Sequence, residues 1–419
     1  MPTFQIPYGS TTLPLTLPDG CDVHLIAPVP TAPAPEPARL VEDALQNPVG
    51  DVNPAAWAGA RSAVIAIADK TRPIPHAAIY PLLRWLDGLG LTPEAITFLI
   101  ATGTHAPLTP DEFGRVLPDD LRARYALISH DCDDEAQLEY LGETAARTPV
   151  WANRRWMAAD LRIVVGNIEP HQFMGFSGGV KSAAIGLAGR ETINRNHAGM
   201  VDPRADLGRY EDNPVRQDVE EIGRMMGVHL ALNTVLNREK QIVCSFAGEP
   251  VAVMRAGIPL VRELYEIAVA QPFDLMIASP GGAPKDINLY QGQKALGHTS
   301  RVTRQGGIVI LVAACPEGSG SVGHEQWMEG VHSYDAVLAR FAREPFRLGP
   351  HKAFQIARDA SRMRVMLLSE MDPARVSRLL LEPVSDLNSA VQDALRELGP
   401  GARIGIVPQG NVTVPVLAS

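Results

Sequence analysis

Four clusters of polar residues and glycine could perform chemistry in this chain, and each follows a short apolar run. In the first, residues 69–73, Arg72 can present a planar guanidinium to a carboxylate or a phosphate. In the second, His105 lies on a loop with glycine and proline nearby, where a neutral imidazole can accept a proton from an alcohol. Ordinary turn chemistry explains Arg72 as well, and a histidine bonded to backbone explains His105 equally well.

The third cluster, residues 169–182, is the densest and contains His171, several glycines and Lys181. Glycines allow close backbone approach, and N–H groups at the start of a helix form a cradle for an anion such as phosphate. The apolar residues 183–189 could begin that helix. Lys181 would then lie at the end of the group that binds in this cradle.

The same segment partly matches a P-loop, because Gly175 and Lys181-Ser182 fall at the spacing G-x-x-x-x-G-K-S. Val180 replaces the glycine that must precede the lysine, and no apolar strand ends in a magnesium-binding aspartate. A P-loop-like phosphate-transfer protein is therefore one alternative interpretation. A noncatalytic sensor of hydroxyacids or nucleotides, in which the histidines are structural, is another.

His197 and the fourth cluster add possible ligands. Histidine is a natural ligand for nickel, zinc or copper, and His197 follows Lys181 closely enough to return to the same site. In the second half of the chain, Tyr290 and Lys294 share a helical face at i,i+4, and Gln291 and Lys294 do so at i,i+3. These side chains could close a cleft, although a solvated helical surface would show the same spacing.

The elements that must position these residues are short β-rich runs separated by amphipathic segments, a pattern typical of parallel sheets covered by helices. We predict an α/β fold of two domains with largely parallel sheets flanked by helices and an active site in the interdomain cleft. Residues 1–270 would form a cofactor-binding and catalytic domain, and residues 271–419 a substrate-closing domain whose tail could return to the first. The predicted strands lie at 62–69, 96–102, 161–167, 228–236, 273–280, 306–314, 363–369 and 403–408.

Composition narrows the possible partners and compartment. A net charge of -9 without a basic stripe predicts repulsion from nucleic acid. The 4 cysteines lie far apart, which argues against a disulfide framework and favours a reducing compartment. Because no signal-like start and no apolar run of roughly 20 residues is present, we expect a cytoplasmic protein that does not contact membranes.

Taken together, five motifs resemble the nickel-dependent lactate racemase family in content, order and spacing over about residues 60–300. The resemblance implies an isomerase that racemises or epimerises a 2-hydroxycarboxylate, with cofactor and substrate between two domains. The motifs are DKTRP, ATGTHAP, EPHQFMGFSGGVKS, NRNHAG and LYQGQK.

The family's cofactor is a nickel-pincer nucleotide, pyridinium-3-thioamide-5-thiocarboxylic acid mononucleotide. The resemblance implies its covalent attachment to Lys181, nickel ligation by His197, and cofactor-synthesis proteins as partners. The glycine-rich loop would hold the phosphate. Besides Lys181, the implied cofactor-binding residues are Asp69, Thr71, Phe173, Ser177, Gly178 and Gly179.

The resemblance also makes His105 and His171 the catalytic pair. The C2 hydrogen beside an ionised carboxylate is poorly acidic, so we expect reversible hydride transfer to the cofactor while a histidine removes the hydroxyl proton. A transient 2-keto acid would result, and two histidines are needed because the hydroxyl lies on opposite sides in the two stereoisomers. Arg72 would pair with the substrate carboxylate, Gln291 and Lys294 would contact carboxylate or hydroxyl oxygen, and Tyr290 would line the pocket.

The sequence departs from the family pattern near residue 351. Family members that act on lactate carry a tryptophan close to the substrate, and His351 stands at the apparent position here. A polar residue there could accommodate a longer or hydroxylated substrate. The candidate substrates are therefore lactate, malate and a sugar acid such as gluconate.

Overall fold

The structure is a computed structural model that describes residues 1–418. The chain divides into two compact units. The first unit comprises residues 30–264, and the second combines residues 1–29 with the chain from Tyr265 onward.

The strands of the described chain fall into two six-stranded sheets and four two-stranded ones. In chain order they are β1 (Thr3–Tyr8), β2 (Thr11–Thr16), β3 (Asp22–Leu25), β4 (Ala63–Ala68), β5 (Ile96–Ala101), β6 (Ala126–Ser129), β7 (Leu138–Glu143), β8 (Pro149–Asn153), β9 (Leu161–Asn167), β10 (Pro170–His171), β11 (Gly175–Phe176), β12 (Leu230–Leu236), β13 (Ile242–Gly248), β14 (Glu266–Val269), β15 (Phe273–Ala278), β16 (Thr303–Val312), β17 (Arg364–Leu368), β18 (Glu382–Val384), β19 (Arg403–Val407) and β20 (Val414–Leu417).

Helices alternate with the strands. The α-helices are α1 (Pro37–Gln46), α2 (His76–Gly88), α3 (Asp119–Arg122), α4 (Arg154–Ala158), α5 (Lys181–Ala184), α6 (Arg190–Ala198), α7 (Pro214–Met225), α8 (Pro250–Tyr265), α9 (Leu289–Thr299), α10 (Val322–Met328), α11 (Tyr334–Arg343), α12 (Pro350–Ala360), α13 (Pro373–Arg378) and α14 (Leu387–Leu398). Short 3-10 turns span Pro54–Trp57, Pro93–Ala95, Pro110–Arg115, Glu135–Gln137, Gly199–Val201 and Ser300–Val302. No helix within residues 1–418 has the length and apolar character that crossing a membrane requires.

The main sheet of the first unit has the strand order β13-β12-β9-β4-β5-β6, with β13 antiparallel at one edge and the other strands parallel. Its central strands are apolar on both faces because helices cover both sides, as expected for parallel sheets. Ile65 in β4 lies between Ile163 in β9 and Phe98 in β5. The carboxyl ends of these three strands therefore meet at one edge of the sheet. The loops that follow the strands begin there, at Asp69, Thr102 and Ile168.

The main sheet of the second unit has the order β18-β17-β16-β15-β19-β3 and is parallel throughout. Its edge strand β3 comes from the N-terminus of the chain and pairs Val23 with Ile404. The β1–β2 hairpin also buries Ile6, Leu15 and Leu17 in the core of this unit.

The N-terminal strands therefore correct the predicted domain limits. Residues 1–29 were predicted to belong to the first domain, but backbone pairing and apolar burial assign them to the second unit. The sequence left open that the tail returns to the first domain, and the structure instead pairs β20 with β14 inside the second unit. The dividing point between residues 264 and 265 lies close to the predicted residue 270.

The predicted fold class is confirmed, since the described chain is α/β with largely parallel sheets flanked by helices. Each of the eight predicted strands forms, with ends within a few residues of the predicted ones. The helix predicted after the glycine-rich loop is shorter than its apolar sequence indicated, because α5 ends at Ala184.

The role of the N-terminal hairpin can be tested by truncating a core residue. Leu15 is 0% exposed, whereas Leu25 is 58% exposed. Leu15→Ala should lower the free energy of unfolding by about 2–5 kcal/mol, since it removes a buried side chain and leaves a cavity. Leu25→Ala, measured alongside by urea unfolding, should change it by less than about 0.5 kcal/mol. Equal stability of the two variants would contradict the assignment of the hairpin to the core.

Candidate functional site

The loop after β4 and the loop after β5 are joined by a hydrogen-bonded pair, His105 and Asp69. The Nδ1 atom of His105 lies 2.6 Å from Oδ2 of Asp69. The carboxylate is buried with its side chain 5% exposed, while the imidazole is 55% exposed. Because a carboxylate accepts, Nδ1 carries the hydrogen and Nε2 of neutral His105 carries the lone pair. His105 is thus held as a proton acceptor.

Asp69 itself is fixed by Thr71. The backbone N–H and the hydroxyl of Thr71 donate to Oδ1 of Asp69 at 3.0 and 2.6 Å. Burial raises the pKa of Asp69, but the hydrogen bonds from His105 and Thr71 outweigh it, so the pKa lies below its ordinary value. The family resemblance implies that both residues bind the cofactor, which stays a prediction, and in the structure Thr71 positions Asp69, which in turn positions His105.

The Nδ1 atom of His171 has the opposite hydrogen-bonding role to that of His105. This residue ends strand β10 of a small hairpin, and its Nδ1 accepts a hydrogen bond from the backbone N–H of Met174 at 3.3 Å. A backbone N–H can only donate, so the hydrogen of neutral His171 resides on Nε2. Nε2 of His171 is therefore a hydrogen-bond donor, whereas Nε2 of His105 is an acceptor.

An aromatic row brings two predicted site histidines together. The ring of Phe173 lies 4.9 Å from that of His171 and 5.2 Å from that of His197, edge-on in both cases. Phe173 is buried, so its position is fixed by the core. The row confirms that the glycine-rich loop and helix α6 meet at one place.

His197 is held neutral with a defined lone pair. Surrounding protein atoms desolvate its ring and the charge of Lys181 repels a proton, and together they lower the pKa of His197 to about 3. Asn196 donates through Nδ2 to Asp218 at 2.8 Å and to the Val215 carbonyl at 3.1 Å, which turns its Oδ1 toward His197. Nδ1 of His197, 3.2 Å from that oxygen, must donate, so Nε2 keeps the lone pair.

This arrangement fits a metal ligand. A metal binds only neutral imidazole, and the ring nitrogen opposite the metal normally donates to a fixed acceptor. His197 satisfies both conditions, and Lys181 is close enough for its charge to affect the ring. The donor set is thus compatible with a metal-containing group tethered at Lys181.

The glycine-rich loop is shaped by close packing. The N–H of Ser177 donates to the Glu169 carbonyl at 2.7 Å, and the N–H of Gly179 donates to Oδ1 of Asn233 at 2.6 Å. A Cβ on Gly178 would lie 2.9 Å from Ile168, and one on Gly179 would lie 2.8 Å from Met254. Protein acceptors already occupy the N–H groups of Ser177 and Gly179. A phosphate held by this loop would therefore need hydrogen-bond donors other than these two.

Val180, which breaks the P-loop pattern, has a packing role. A Cβ on Gly223 of α7 would lie 2.3 Å from the Cβ of Val180, so the valine occupies the space that this glycine leaves. The hairpin of β10 and β11 also separates β9 from Lys181. The lysine therefore does not follow its strand directly, as it would in a P-loop.

Arg216 on α7 supports the loop and was not recognised from the sequence. It is 0% exposed and forms an ion pair with Glu220 at 2.6 Å. It also donates to the carbonyls of Phe176 at 3.0 Å and Gly178 at 3.1 Å. Tyr210 donates its hydroxyl to the same carboxylate oxygen at 2.8 Å. The i,i+4 spacing of arginine and glutamate was visible in the sequence, but it is equally common on solvated helices.

Arg72 has an exposed side chain and follows Asp69 and Thr71 in the chain. Its backbone N–H donates to the Asp69 carbonyl at 3.2 Å, which places it in the turn that follows β4. Within residues 1–418, its side chain forms no ion pair. The guanidinium is thus available to an anion.

The remaining predicted residues lie in the second unit. Tyr290, Gln291 and Lys294 are on α9, as predicted, and Nζ of Lys294 donates to Oε1 of Gln291 at 2.6 Å. His351 is on α12 and its Nε2 lies 3.4 Å from the Tyr290 hydroxyl oxygen. The structure therefore brings together the four residues predicted to contact substrate from the second half of the chain.

Comparison with known proteins gives consistent matches along the chain. A family model for the lactate racemase N-terminal domain matches residues 8–208, and one for the lactate racemase C-terminal domain matches residues 268–416. The lactate racemase of Lactiplantibacillus plantarum is 31% identical over 381 residues, which is 89% of each chain. That of Thermoanaerobacterium thermosaccharolyticum is 28% identical over 421 residues, which is 98% of each.

Solved structures agree. The lactate racemase apoprotein from Thermoanaerobacterium thermosaccharolyticum superposes with a TM-score of 0.90 at 28% identity, covering 99% of this chain and 100% of that one. A protein of Thermotoga maritima, 17% identical, has a TM-score of 0.67 over 93% of this chain and 100% of its own, which shows a shared fold.

The fold and these matches define the chain as an isomerase of the racemase class. It belongs to the lactate racemase family, and the resemblance seen in its motifs is confirmed.

The support that Arg216 gives the loop can be measured. Arg216→Met should lower the free energy of unfolding by about 3–5 kcal/mol, because Glu220 is left buried and unpaired. Removing both charges in Arg216→Met/Glu220→Leu should recover part of that loss. Arg255→Met, at an exposed ion pair with Glu211, serves as the control and should leave stability unchanged. A stable single variant would show that the pair does not hold the loop.

The Asp69 pair predicts a pH dependence. Because the pKa of Asp69 is lower in the folded protein than in the unfolded chain, its ionised form contributes stability above about pH 4. That contribution is lost as pH falls through the folded pKa. The free energy of unfolding of the wild type should therefore exceed that of Asp69→Asn at neutral pH, and the difference should shrink in acid. A difference that stays constant down to about pH 3 would contradict the assigned pair.

Proposed function

We propose that this chain is a nickel-dependent racemase or epimerase that inverts C2 of a 2-hydroxycarboxylate, with lactate, malate and a sugar acid such as gluconate as candidates. The observation that carries the proposal is the opposite hydrogen-bonded state of His105 and His171. Inversion at a carbon that bears a hydroxyl needs one group to take the hydroxyl proton and another to return a proton on the opposite side. A pair held as acceptor and donor meets this requirement.

His105 takes the hydroxyl proton of one stereoisomer at Nε2. Asp69 stabilises the imidazolium that results, since its carboxylate accepts from Nδ1. His171, once protonated to the imidazolium, gives its Nε2 proton to the oxygen when that oxygen lies on the other side, and it is left as neutral imidazole. At the end of one turnover the two rings have exchanged roles, and they then serve the reverse reaction.

Lys181 and His197 would hold the nickel-pincer nucleotide, with Lys181 as the covalent attachment and Nε2 of His197 as the nickel ligand. When bound, this group supplies a hydride acceptor for the C2 hydrogen. The neutral ring and fixed lone pair of His197 support this role. Thr71, Ser177, Gly178 and Gly179 line the loops on which the group would lie, and Phe173 packs against both histidines.

Arg72 would pair with the substrate carboxylate, because its exposed guanidinium can bind both carboxylate oxygens. Gln291 and Lys294 would contact carboxylate or hydroxyl oxygen, and Tyr290 and His351 would line the pocket. Cofactor-synthesis proteins are the expected partners, and the cytoplasm is the expected compartment.

The proposal is tested first by loading. Protein made together with the cofactor-synthesis machinery is analysed for metal content and intact mass, with Lys181→Ala in parallel. Nickel and a mass adduct that require Lys181 are the expected result. Chiral assays of lactate, malate and gluconate in ordinary and deuterated water should then show inversion with the C2 hydrogen largely retained. Loaded protein that exchanges C2 hydrogen fully with solvent would exclude internal return of that hydrogen.

The histidine roles give a second prediction. His105→Gln and His171→Gln should each lower kcat in both directions by about 10²–10⁴-fold, because every turnover uses both rings. Substrate binding, measured by calorimetry, should change much less. His24→Gln, at a half-buried histidine of the second unit that bonds to Asp22, is the control and should retain activity. If either site variant kept full activity, the acid/base pair would be wrong, and a ligand sensor would explain the site better.

A further inference from the structure

A cavity of about 320 Å³ lies in the first unit, and none of the residues assigned above to cofactor or substrate lines it. Its walls come from residues 51–57, helix α7, residues 228–229 and the start of α8, together with Val180. Val180 directly precedes Lys181, so the cavity borders the glycine-rich loop. A cavity of this volume is large enough for a small molecule.

Glu220 brings an unmatched acceptor to this cavity. The donors to its carboxylate all reach Oε1, and they are Nε and Nη2 of Arg216 at 2.9 and 2.6 Å and the hydroxyl of Tyr210 at 2.8 Å. Oε2 is buried, and over residues 1–418 it has no hydrogen-bond partner. Glu220 lines the cavity, whereas Arg216 and Tyr210 do not, so Oε2 is the oxygen left for a ligand there. Since buried carboxylate oxygens normally accept a hydrogen bond, a ligand N–H is expected.

Arg224 brings an unmatched cation to the same cavity. It follows Glu220 by four residues on α7, and residues at this spacing share one face of a helix. Arg224 lines the cavity and is exposed, and its guanidinium forms no ion pair within the described chain. The acceptor and the cation are therefore neighbours along α7.

The other titratable residues that line the cavity need no ligand. Both carboxylate oxygens of Glu249 accept from backbone N–H groups at the start of α8, at 3.1 and 2.7 Å. Nδ1 of His229 accepts from the backbone N–H of Arg162 at 3.0 Å, and burial and the charge of Arg162 lower the pKa of His229. Asp51 is exposed to solvent. Glu220 and Arg224 are thus the two groups that a ligand must match.

These two charges and the apolar walls restrict the class of ligand. A ligand with only a positive charge would face Arg224, and one with only a negative charge would face Glu220. A zwitterion with an apolar side chain matches both charges, and an amino acid carries its ammonium and carboxylate on one carbon. The apolar residues that would contact its side chain include Val52, Trp57, Val180, Val228 and Val251.

We propose that this cavity binds an amino acid with an apolar side chain, whose ammonium donates to Oε2 of Glu220 and whose carboxylate accepts from Arg224. The ammonium completes the carboxylate that anchors Arg216, and Arg216 in turn donates to the carbonyls of Phe176 and Gly178. Occupancy of the cavity therefore stabilises the loop that leads to Lys181. The inference goes beyond the proposed function and requires no bound cofactor.

Calorimetry on the purified full-length chain tests the charges of the ligand. The probes are L-leucine, 3-methylbutylamine, which lacks the carboxylate, and 4-methylpentanoate, which lacks the ammonium. Leucine should bind, and each analogue should bind at least about tenfold more weakly, because one charge-assisted hydrogen bond is lost. Equal affinity for all three probes would overturn the proposal. Absence of leucine binding would also overturn it, since the cavity would then hold water only.

Arg224→Met tests the position of the carboxylate at an exposed residue. It should weaken leucine binding by about 10- to 100-fold and should not weaken binding of 3-methylbutylamine. Ala56→Phe, at an exposed residue of the lining, should weaken binding of both because the ring occupies the cavity. Arg154→Met, at an exposed arginine of α4 outside the lining, is the matched control and should bind leucine like the wild type. If Arg224→Met binds leucine as tightly as the wild type, Arg224 does not hold the carboxylate and the proposal fails.

Hydrogen exchange locates the bound amino acid. With leucine present, the backbone amides of residues 176–182 and 220–229 should exchange more slowly, because the ligand stabilises α7 and the loop that Arg216 holds. Protection confined to other parts of the chain would place leucine elsewhere and would rule out this cavity as its site.

Discussion

The buried ion pair of Arg216 and Glu220 is the interaction on which the site depends. A guanidinium inside a protein needs acceptors for its donors, and Arg216 finds them in Glu220 and in the carbonyls of Phe176 and Gly178. Those carbonyls belong to the loop that leads to Lys181. Satisfying the buried charge and shaping the loop are therefore one requirement, and α7 transmits the rigidity of the core to the backbone that carries the lysine.

Hydrogen-bond partners also decide the chemistry of the three site histidines. The tautomer of each ring is determined by its Nδ1 neighbour, which is a carboxylate for His105, a backbone N–H for His171 and an amide oxygen for His197. One residue type thus becomes an acceptor, a donor and a ligand with a fixed lone pair. The three tautomers therefore differ because the surroundings of the rings differ.

Gln355 shows the same control of an amide in the second unit. Two donors on its oxygen determine where its nitrogen points, and the nitrogen is left without an acceptor in the described chain. Within the described chain, Oε2 of Glu220 is likewise buried without a hydrogen-bond partner.

The sequence by itself determined the strands, the motifs and the family. Buried parallel strands are continuous apolar runs, and ligand-binding residues come after them at loop positions, so both can be identified without contacts. Tertiary structure alone decided that Asp69 orients His105, that Arg216 holds the loop, and that β3 joins β19 in the second unit. These contacts join residues that are distant in the chain, and they depend on the direction of each side chain. The spacing of residues along the chain predicts neither the long-range contacts nor the side-chain directions. It does not reveal which residues pack against one another in space.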